Sequence, residues 1–322
     1  MLSRCRRAKV CKEHIAFECD SKRNFRIEAD TCKSLLPLST SDMFIAVKTM
    51  MFGTGNDVQL EMLAAVPAGA AGPRPALLFV HGLGHDAACW RNWMQAASAD
   101  GYAAYAISLR GHGASGGSLR SAWLKDYVTD VLRAVEAVDA DELVLVGHSL
   151  GGLVVQRVLA LQPAKVSAGV LVGSITSGPA FGTVISVLRN HPWQAMRFLA
   201  GRSLRLPPDM LFERMGTEEA AEISRSLCGG SPWVQYQLLF HLPSRVKSEY
   251  PLLSVYSKHD RMVPVRSARA TARRYGADVR ELAGIGHDMM LDGGWEQPWS
   301  VISDWLKALR VEAISHDGRQ SD

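Results

Sequence analysis

The chain has 322 residues, 47% of them hydrophobic, and a formal net charge of +4. That length allows one large domain with an insertion or two ordinary domains, with enough apolar material for a sizeable core. The charge surplus lies in residues 1–40, where nine Lys and Arg face five Asp and Glu, while the remaining 27 of each sign cancel; a neutral body argues against a nucleic-acid partner.

In chain order, residues 1–42 show no periodicity and read as a disordered basic segment. They hold Cys5, Cys11, Cys19 and Cys32, at spacings that match no zinc module, while Cys89 and Cys228 have no need to pair. This usage fits a reducing compartment. No apolar run reaches the roughly 18 residues of a membrane span, and no apolar signal region stands near the start. The expected location is cytoplasmic, with no integral membrane segment. Oligomeric state is not legible.

Residues 43–52 alternate like an edge strand and 58–66 like its hairpin partner, joined by the turn cluster Gly53-Thr54-Gly55-Asn56-Asp57. After a small-residue loop over 67–75, residues 76–80 form a continuous apolar strand, as expected when both sheet faces are covered. A helix is expected over 87–99 and a strand over 102–107. Ser121 opens a helix to about 138, with Val128, Val131, Leu132 and Val135 at helical spacing. Strands over 143–146 and 166–172 flank a helix over 150–161. The alternation predicts an α/β fold, a mostly parallel sheet wrapped by helices.

The rhythm breaks over 174–246. Helical pieces there are punctuated by Pro192, Pro207, Pro208, Pro232 and Pro243. They carry Phe181, Trp193, Met196, Phe198, Leu199, Met210, Phe212, Met215, Trp233, Tyr236 and Phe240, read mostly as packing the insertion onto the body, with a few lining a pocket. Arg189, Arg197, Arg202 and Arg205 read as a solvated face rather than a carboxylate clamp. A strand begins at Leu252, a basic helix covers 265–275, a strand covers 278–282 and a closing helix covers 296–310. The domains are then a core of 43–173 and 247–311, an insertion of 174–246 and a flexible tail of 312–322.

Between the strand ending at Val146 and the next helix stands Gly147-His148-Ser149-Leu150-Gly151. A serine between glycines at a strand-to-helix turn is the pattern of a nucleophile elbow; the alternative, an ordinary helix N-cap, is disfavoured by the strand before it, the helix after it and the acid and histidine downstream. A serine nucleophile needs a base to take its proton and an acid to fix that base. His287, in a glycine-containing loop after the strand of 278–282, suits the base. Asp260, just past the strand of residue 252, suits the acid, with Asp288 and Asp292 as rivals. His148 reads as a packing or hydrogen-bonding residue that points away from Ser149. His81, His85, Asp86 and His112 could be metal ligands, but their spacing matches no zinc pattern; no metal and no cofactor is expected.

With these residues in hand, the chain over roughly 43–311 resembles the α/β-hydrolase superfamily, in its serine-nucleophile, esterase/lipase-like branch. The resemblance implies the α/β-hydrolase fold with a helical cap over 174–246, a catalytic triad of Ser149, Asp260 and His287, and an oxyanion hole from the backbone N–H groups of Leu83 and Leu150. Phe79-Val80-His81-Gly82-Leu83-Gly84 looks like the family's oxyanion loop, supported by His81 and Gly82, as Gly147, His148 and Gly151 support the elbow. Leu109-Arg110-Gly111-His112-Gly113 looks like the family's next loop, where Ser108 replaces a frequent aspartate. The function implied is hydrolysis of a small-molecule carboxylic ester with an apolar acyl or alcohol part. Lysophospholipase or monoacylglycerol lipase, thioesterase, carbon–carbon bond hydrolase and cofactor-free haloperoxidase share such a site. A catalytically silent small-molecule-binding scaffold is the non-enzymatic alternative.

Overall fold

The computed structural model describes residues 26–28, 47–53, 58–67, 74–244 and 250–317. A nine-stranded sheet runs in the order β1-β2-β3-β5-β4-β6-β7-β8-β9. The strands are β1 Arg26–Glu28, β2 Lys48–Gly53, β3 Gln59–Ala65, β4 Ala76–Val80, β5 Ala104–Ile107, β6 Leu143–His148, β7 Val166–Val172, β8 Leu252–Ser257 and β9 Asp278–Leu282. The first three pair antiparallel, as do β3 and β5; every pair from β5 through β9 is parallel.

The uninterrupted apolar runs follow from two covered faces. In β4 and β6, Leu78, Val80, Leu143 and Leu145 enter one core, while Leu77, Phe79, Val144 and Val146 enter the other. The first core is closed by helices α2 Leu124–Ala137 and α3 Leu150–Leu159. The second is closed by α1 Arg91–Ala99 and α10 Glu296–Asp317, through Trp93, Met94, Trp299, Ile302 and Trp305. The parallel strands all end on one side of the sheet, where such folds keep their ligand crevices.

Several elements differ from the sequence reading. Strand β2 is not outermost, because β1 pairs outside it through Arg26–Met51 and Glu28–Thr49. The rest of the leading segment, with its four cysteines, lies outside the described residues. Ser121 belongs to a 3₁₀ turn; α2 starts at Leu124, because Asp126 accepts a 2.8 Å bond from the Trp123 N–H and so closes the first turn. Helix α10 continues past Arg310 to Asp317, and residues 318–322 lie outside the described set.

The insertion contains α4 Phe181–Asn190, α5 Pro192–Leu199, α6 Pro208–Leu211, α7 Thr217–Ser226 and α8 Pro232–Phe240. Pro192, Pro208 and Pro232 each occupy a first helical position, where a missing N–H costs nothing. Phe198, Met210 and Phe212 are buried as read, but Trp193 is 73%, Phe240 73%, Met196 57% and Phe181 54% exposed. Four of the large apolar side chains on this insertion thus face outward, while others pack it onto the body. The insertion meets the body through apolar residues such as Leu206, Leu211, Phe212 and Val234, which share one core with Leu83, Tyr127 and Leu150, and through polar bonds: Ser231 Oγ donates to the Ala122 carbonyl, Gln237 Oε1 accepts from the Leu124 N–H, and the Cys228 N–H donates to the Gly84 carbonyl.

Candidate active site

Ser149 sits between β6 and α3 with φ 50° and ψ −114°. For a serine this is a strained conformation, costing on the order of 1–3 kcal/mol, which persists only where the surroundings over-determine it. Here they do so through three backbone bonds. Its N–H donates to the Val172 carbonyl at 3.0 Å, and its carbonyl accepts from the N–H groups of Leu153 and Ile175. Close approach explains the flanking glycines. A Cβ on Gly151 would collide with the carbonyls of Val80 and His81 at the end of β4, and one on Gly147 would meet the Gly151 carbonyl. A Cβ on Gly82 would lie 2.8 Å from His148 Nδ1 and 3.2 Å from Ser149 Cβ.

His287 Nδ1 lies 2.8 Å from Asp260 Oδ2, with both side chains buried. The carboxylate accepts, so Nδ1 carries the hydrogen, leaving Nε2 as the acceptor when the ring is neutral. The other oxygen of Asp260 accepts from the N–H groups of Met262 and Val263, both at 2.8 Å, which fixes the carboxylate. Burial alone would lower the His287 pKa, but the charge and hydrogen bond of Asp260 outweigh it and raise the value above the ordinary 6.5. Ser149, His287, Leu83 and Leu150 line one cavity, together with Ile175, Leu204, Leu206 and Leu238. Its volume is about 40 Å³, room for a few waters.

The rival acids have other partners. Asp292 accepts from the N–H groups of Glu213, Arg214, Met215 and Gly286, so it joins the stretch between α6 and α7 to the His287 loop. Asp288 Oδ2 lies 3.0 Å from His85 Nε2. The His85 Nδ1 lies 3.1 Å from the Leu83 carbonyl. Both nitrogens of His85 therefore face acceptors, and both donate in the imidazolium form. Burial would lower the His85 pKa, yet Asp288 raises it. Burial would likewise raise Asp288, yet His85 holds it at about 2. This buried pair, linking the loop after β4 to the loop of His287, is not evident in the sequence.

The supporting histidines are neutral. His81 Nδ1 donates to the Gly82 carbonyl at 2.8 Å, and Nε2 accepts from the Leu109 N–H at 3.0 Å. Burial, then neighbouring His112, holds its pKa well below 6.5. The ring thus ties the loop after β4 to the loop after β5. His148 Nε2 donates to the His287 carbonyl at 3.1 Å. Burial, then His287, pushes its pKa down to about 3. At Ser108 the carboxylate comes from a neighbouring strand instead. Ser108 Oγ donates to Glu61 Oε2 at 2.6 Å and accepts from the Ala87 N–H, while the same Glu61 oxygen accepts from the Ala114 N–H.

Among the described residues, the candidate cation grouping is His148, His287 and Asp288, whose ligand atoms lie within 4.8 Å of one another. His287 Nδ1 and Asp288 Oδ2 already serve Asp260 and His85. His148 Nδ1 and Asp288 Oδ1 are buried without a hydrogen-bond partner among the described residues. Of the four residues weighed as ligands from the sequence, His81 and His85 are engaged as above, Asp86 accepts from the Ala88 N–H, and His112 Nδ1 donates to the Arg110 carbonyl.

The sequence profile described as "Alpha/beta hydrolase family" matches residues 77–301, most of the chain. A monoacylglycerol lipase of Mycolicibacterium smegmatis is 26% identical, over 73% of this chain and 88% of the relative. Norfluorocurarine synthase 2 of Strychnos is 37% identical over 100 residues, and this match spans only 38% of that relative. Among solved structures, a soluble variant of monoglyceride lipase from Saccharomyces cerevisiae aligns with TM-score 0.68 at 14% identity, covering 84% of this chain and 99% of that one. A thermophilic esterase aligns with TM-score 0.62 at 21% identity, covering 82% and 98%. These likenesses carry the fold, and the profile carries the kinship: the chain belongs to the alpha/beta hydrolase family.

Proposed function

We propose that the protein is a serine hydrolase that cleaves a carboxylic ester through an acyl-enzyme. The observation that carries this reading is the strained Ser149, which shares a cavity with a histidine hydrogen-bonded to Asp260. In this mechanism Ser149 Oγ attacks the carbonyl carbon as His287 Nε2 takes its proton. The N–H groups of Leu83 and Leu150 receive the developing oxyanion. Donors of this kind are commonly worth about 3 kcal/mol each in the transition state. His287 returns the proton to the leaving alcohol, then takes one from the water that hydrolyses the acyl-enzyme. The leucine lining favours an apolar group beside the carbonyl. A cavity of about 40 Å³ cannot enclose both halves of an ester, so the cap must shift or the substrate must extend into adjoining space.

One observation favours a glycerolipid as the ester. Phe181, Ile185 and Leu188 on α4 and Trp193 and Met196 on α5 are exposed, and Thr183 of the same α4 lines the catalytic cavity. An outward apolar surface on that helix suits a substrate presented in a lipid aggregate. Hydrolysis of p-nitrophenyl esters of increasing chain length, compared with monoacylglycerols below and above their aggregation threshold, tests both statements. The reading predicts turnover that Ser149→Ala abolishes. Folded wild-type protein that cleaves neither class would overturn it.

A further inference from the structure

Beside the catalytic cavity lies a larger one of about 490 Å³, within the usual range of small-ligand sites. Leu83, Leu204 and Leu206 line both, so these three side chains form the partition between them. Arg197, Arg205 and Arg225 line the larger cavity, and among the described residues no aspartate or glutamate does. Arg205 and Arg225 are exposed and Arg197 is half-buried; the solvated face read for Arg197 and Arg205 borders this cavity, which Arg225 also lines.

Arg110, Arg133, Arg261 and Arg269 each meet a carboxylate at 2.6–3.0 Å. Among the described residues, Arg197, Arg205 and Arg225 meet none. Arg197 makes only a 3.4 Å bond from Nη2 to the Ser203 carbonyl, and its Nε is buried without a partner. Arg225 Nε donates to the Ala221 carbonyl. A cleft lined by charge of one sign concentrates ligands of the other, and guanidinium matches the oxygens of carboxylate and phosphate in geometry. The small catalytic cavity leaves part of any substrate outside it; an apolar cavity of about 40 Å³ adjoins it through Thr183, Leu204 and Leu238, and the larger cationic one adjoins it through the leucine partition.

We propose that the larger cavity receives a carboxylate or phosphate borne by the substrate, so that the ester cleaved at Ser149 is anionic. This rests on the hydrolase reading and names its substrate class. The anion takes no part in bond making; it positions the scissile carbonyl across the leucine partition.

The test compares kcat/KM for mono-p-nitrophenyl glutarate and adipate with their neutral alkanoyl counterparts of equal length. Acyl glycerol 3-phosphate compared with monoacylglycerol forms the phosphate arm. The expected ratio of anionic to neutral kcat/KM is about tenfold or more in at least one arm, carried mainly by KM. It falls by about tenfold in Arg197→Met, Arg205→Met or Arg225→Met, the scale of one lost charge-assisted contact, and shrinks with added salt. Arg189→Met, at an exposed position that does not line the cavity, keeps the wild-type ratio. The favoured arm tells carboxylate from phosphate. Ratios near one in both arms, or ratios unmoved by the three substitutions, overturn the proposal. Should wild-type protein cleave none of these esters, the hydrolase reading fails separately. Titration calorimetry of Ser149→Ala protein with glutarate and with glycerol 3-phosphate then decides the cavity's role: saturable binding weakened by Arg205→Met upholds an anion site, and absence of binding refutes it.

Discussion

The buried pair of His85 and Asp288 makes a quantitative prediction. Asp288 is fully buried, and its pKa stands at about 2 against an ordinary 3.8. A difference of that size corresponds to about 2–3 kcal/mol of stability. The sign runs in two directions. A depressed carboxylate contributes above pH 3.8, and the contribution disappears as pH falls toward 2. A raised histidine contributes fully below 6.5, and the contribution disappears as pH rises through the raised value. The pair therefore stabilises most between about pH 4 and 6.5. Asp288→Asn keeps the shape and removes the charge. In urea unfolding at pH 5.5 the variant should lose about 2–3 kcal/mol, and the gap should narrow above the raised His85 pKa. Equal stability at pH 5.5, or a gap that widens toward pH 9, would refute this account. Because His85 also donates to the Leu83 carbonyl, ester turnover in the variant should fall more in kcat than in KM.

Three further outcomes follow from the same geometry. With His287 as base, kcat/KM should rise with pH through an apparent pKa above 6.5, since only neutral imidazole accepts the proton; Asp260→Asn should lower that pKa and reduce kcat by about 10³–10⁴, as expected when the histidine loses its orienting acid. Gly82→Ala should destabilise by about 1–3 kcal/mol, the range for overpacking a tight site, because its Cβ would lie 2.8 Å from His148 Nδ1; thermal denaturation checks this. Leu206→Ala should open the partition between the two cavities and shift the best p-nitrophenyl ester toward longer acyl chains, and an unchanged chain-length profile would argue against that wall.

The parts of the fold that were legible in the sequence are those set by local pattern. Strand β7, helix α9 Val265–Tyr275 and strand β9 fall at the expected bounds. Continuous apolar runs mark the strands, and Gly276, with φ 62°, ends the helix where a left-handed residue is needed. Asp260 beside His287 was readable because both follow strand ends. Strand β1 was not, since three residues carry no alternation and owe their place to β2. Pairs between distant residues were equally hidden. His85 and Asp288 lie 203 positions apart, and Glu61 reaches Ser108 from an antiparallel strand. In the insertion, residue type misled. Aromatic residues suggest packing, yet Trp193 and Phe240 face outward while Leu204, Leu206 and Leu238 line the cavity that holds Ser149. Only tertiary placement decides which apolar side chains turn inward.

The central claim, that Ser149 is a nucleophile activated by His287, is tested most directly by a fluorophosphonate probe read by intact-protein and peptide mass spectrometry. The account predicts one adduct per chain, on Ser149, absent in Ser149→Ala and formed far more slowly in His287→Ala. A folded wild-type chain that stays unmodified, or an adduct on a different residue, would contradict it.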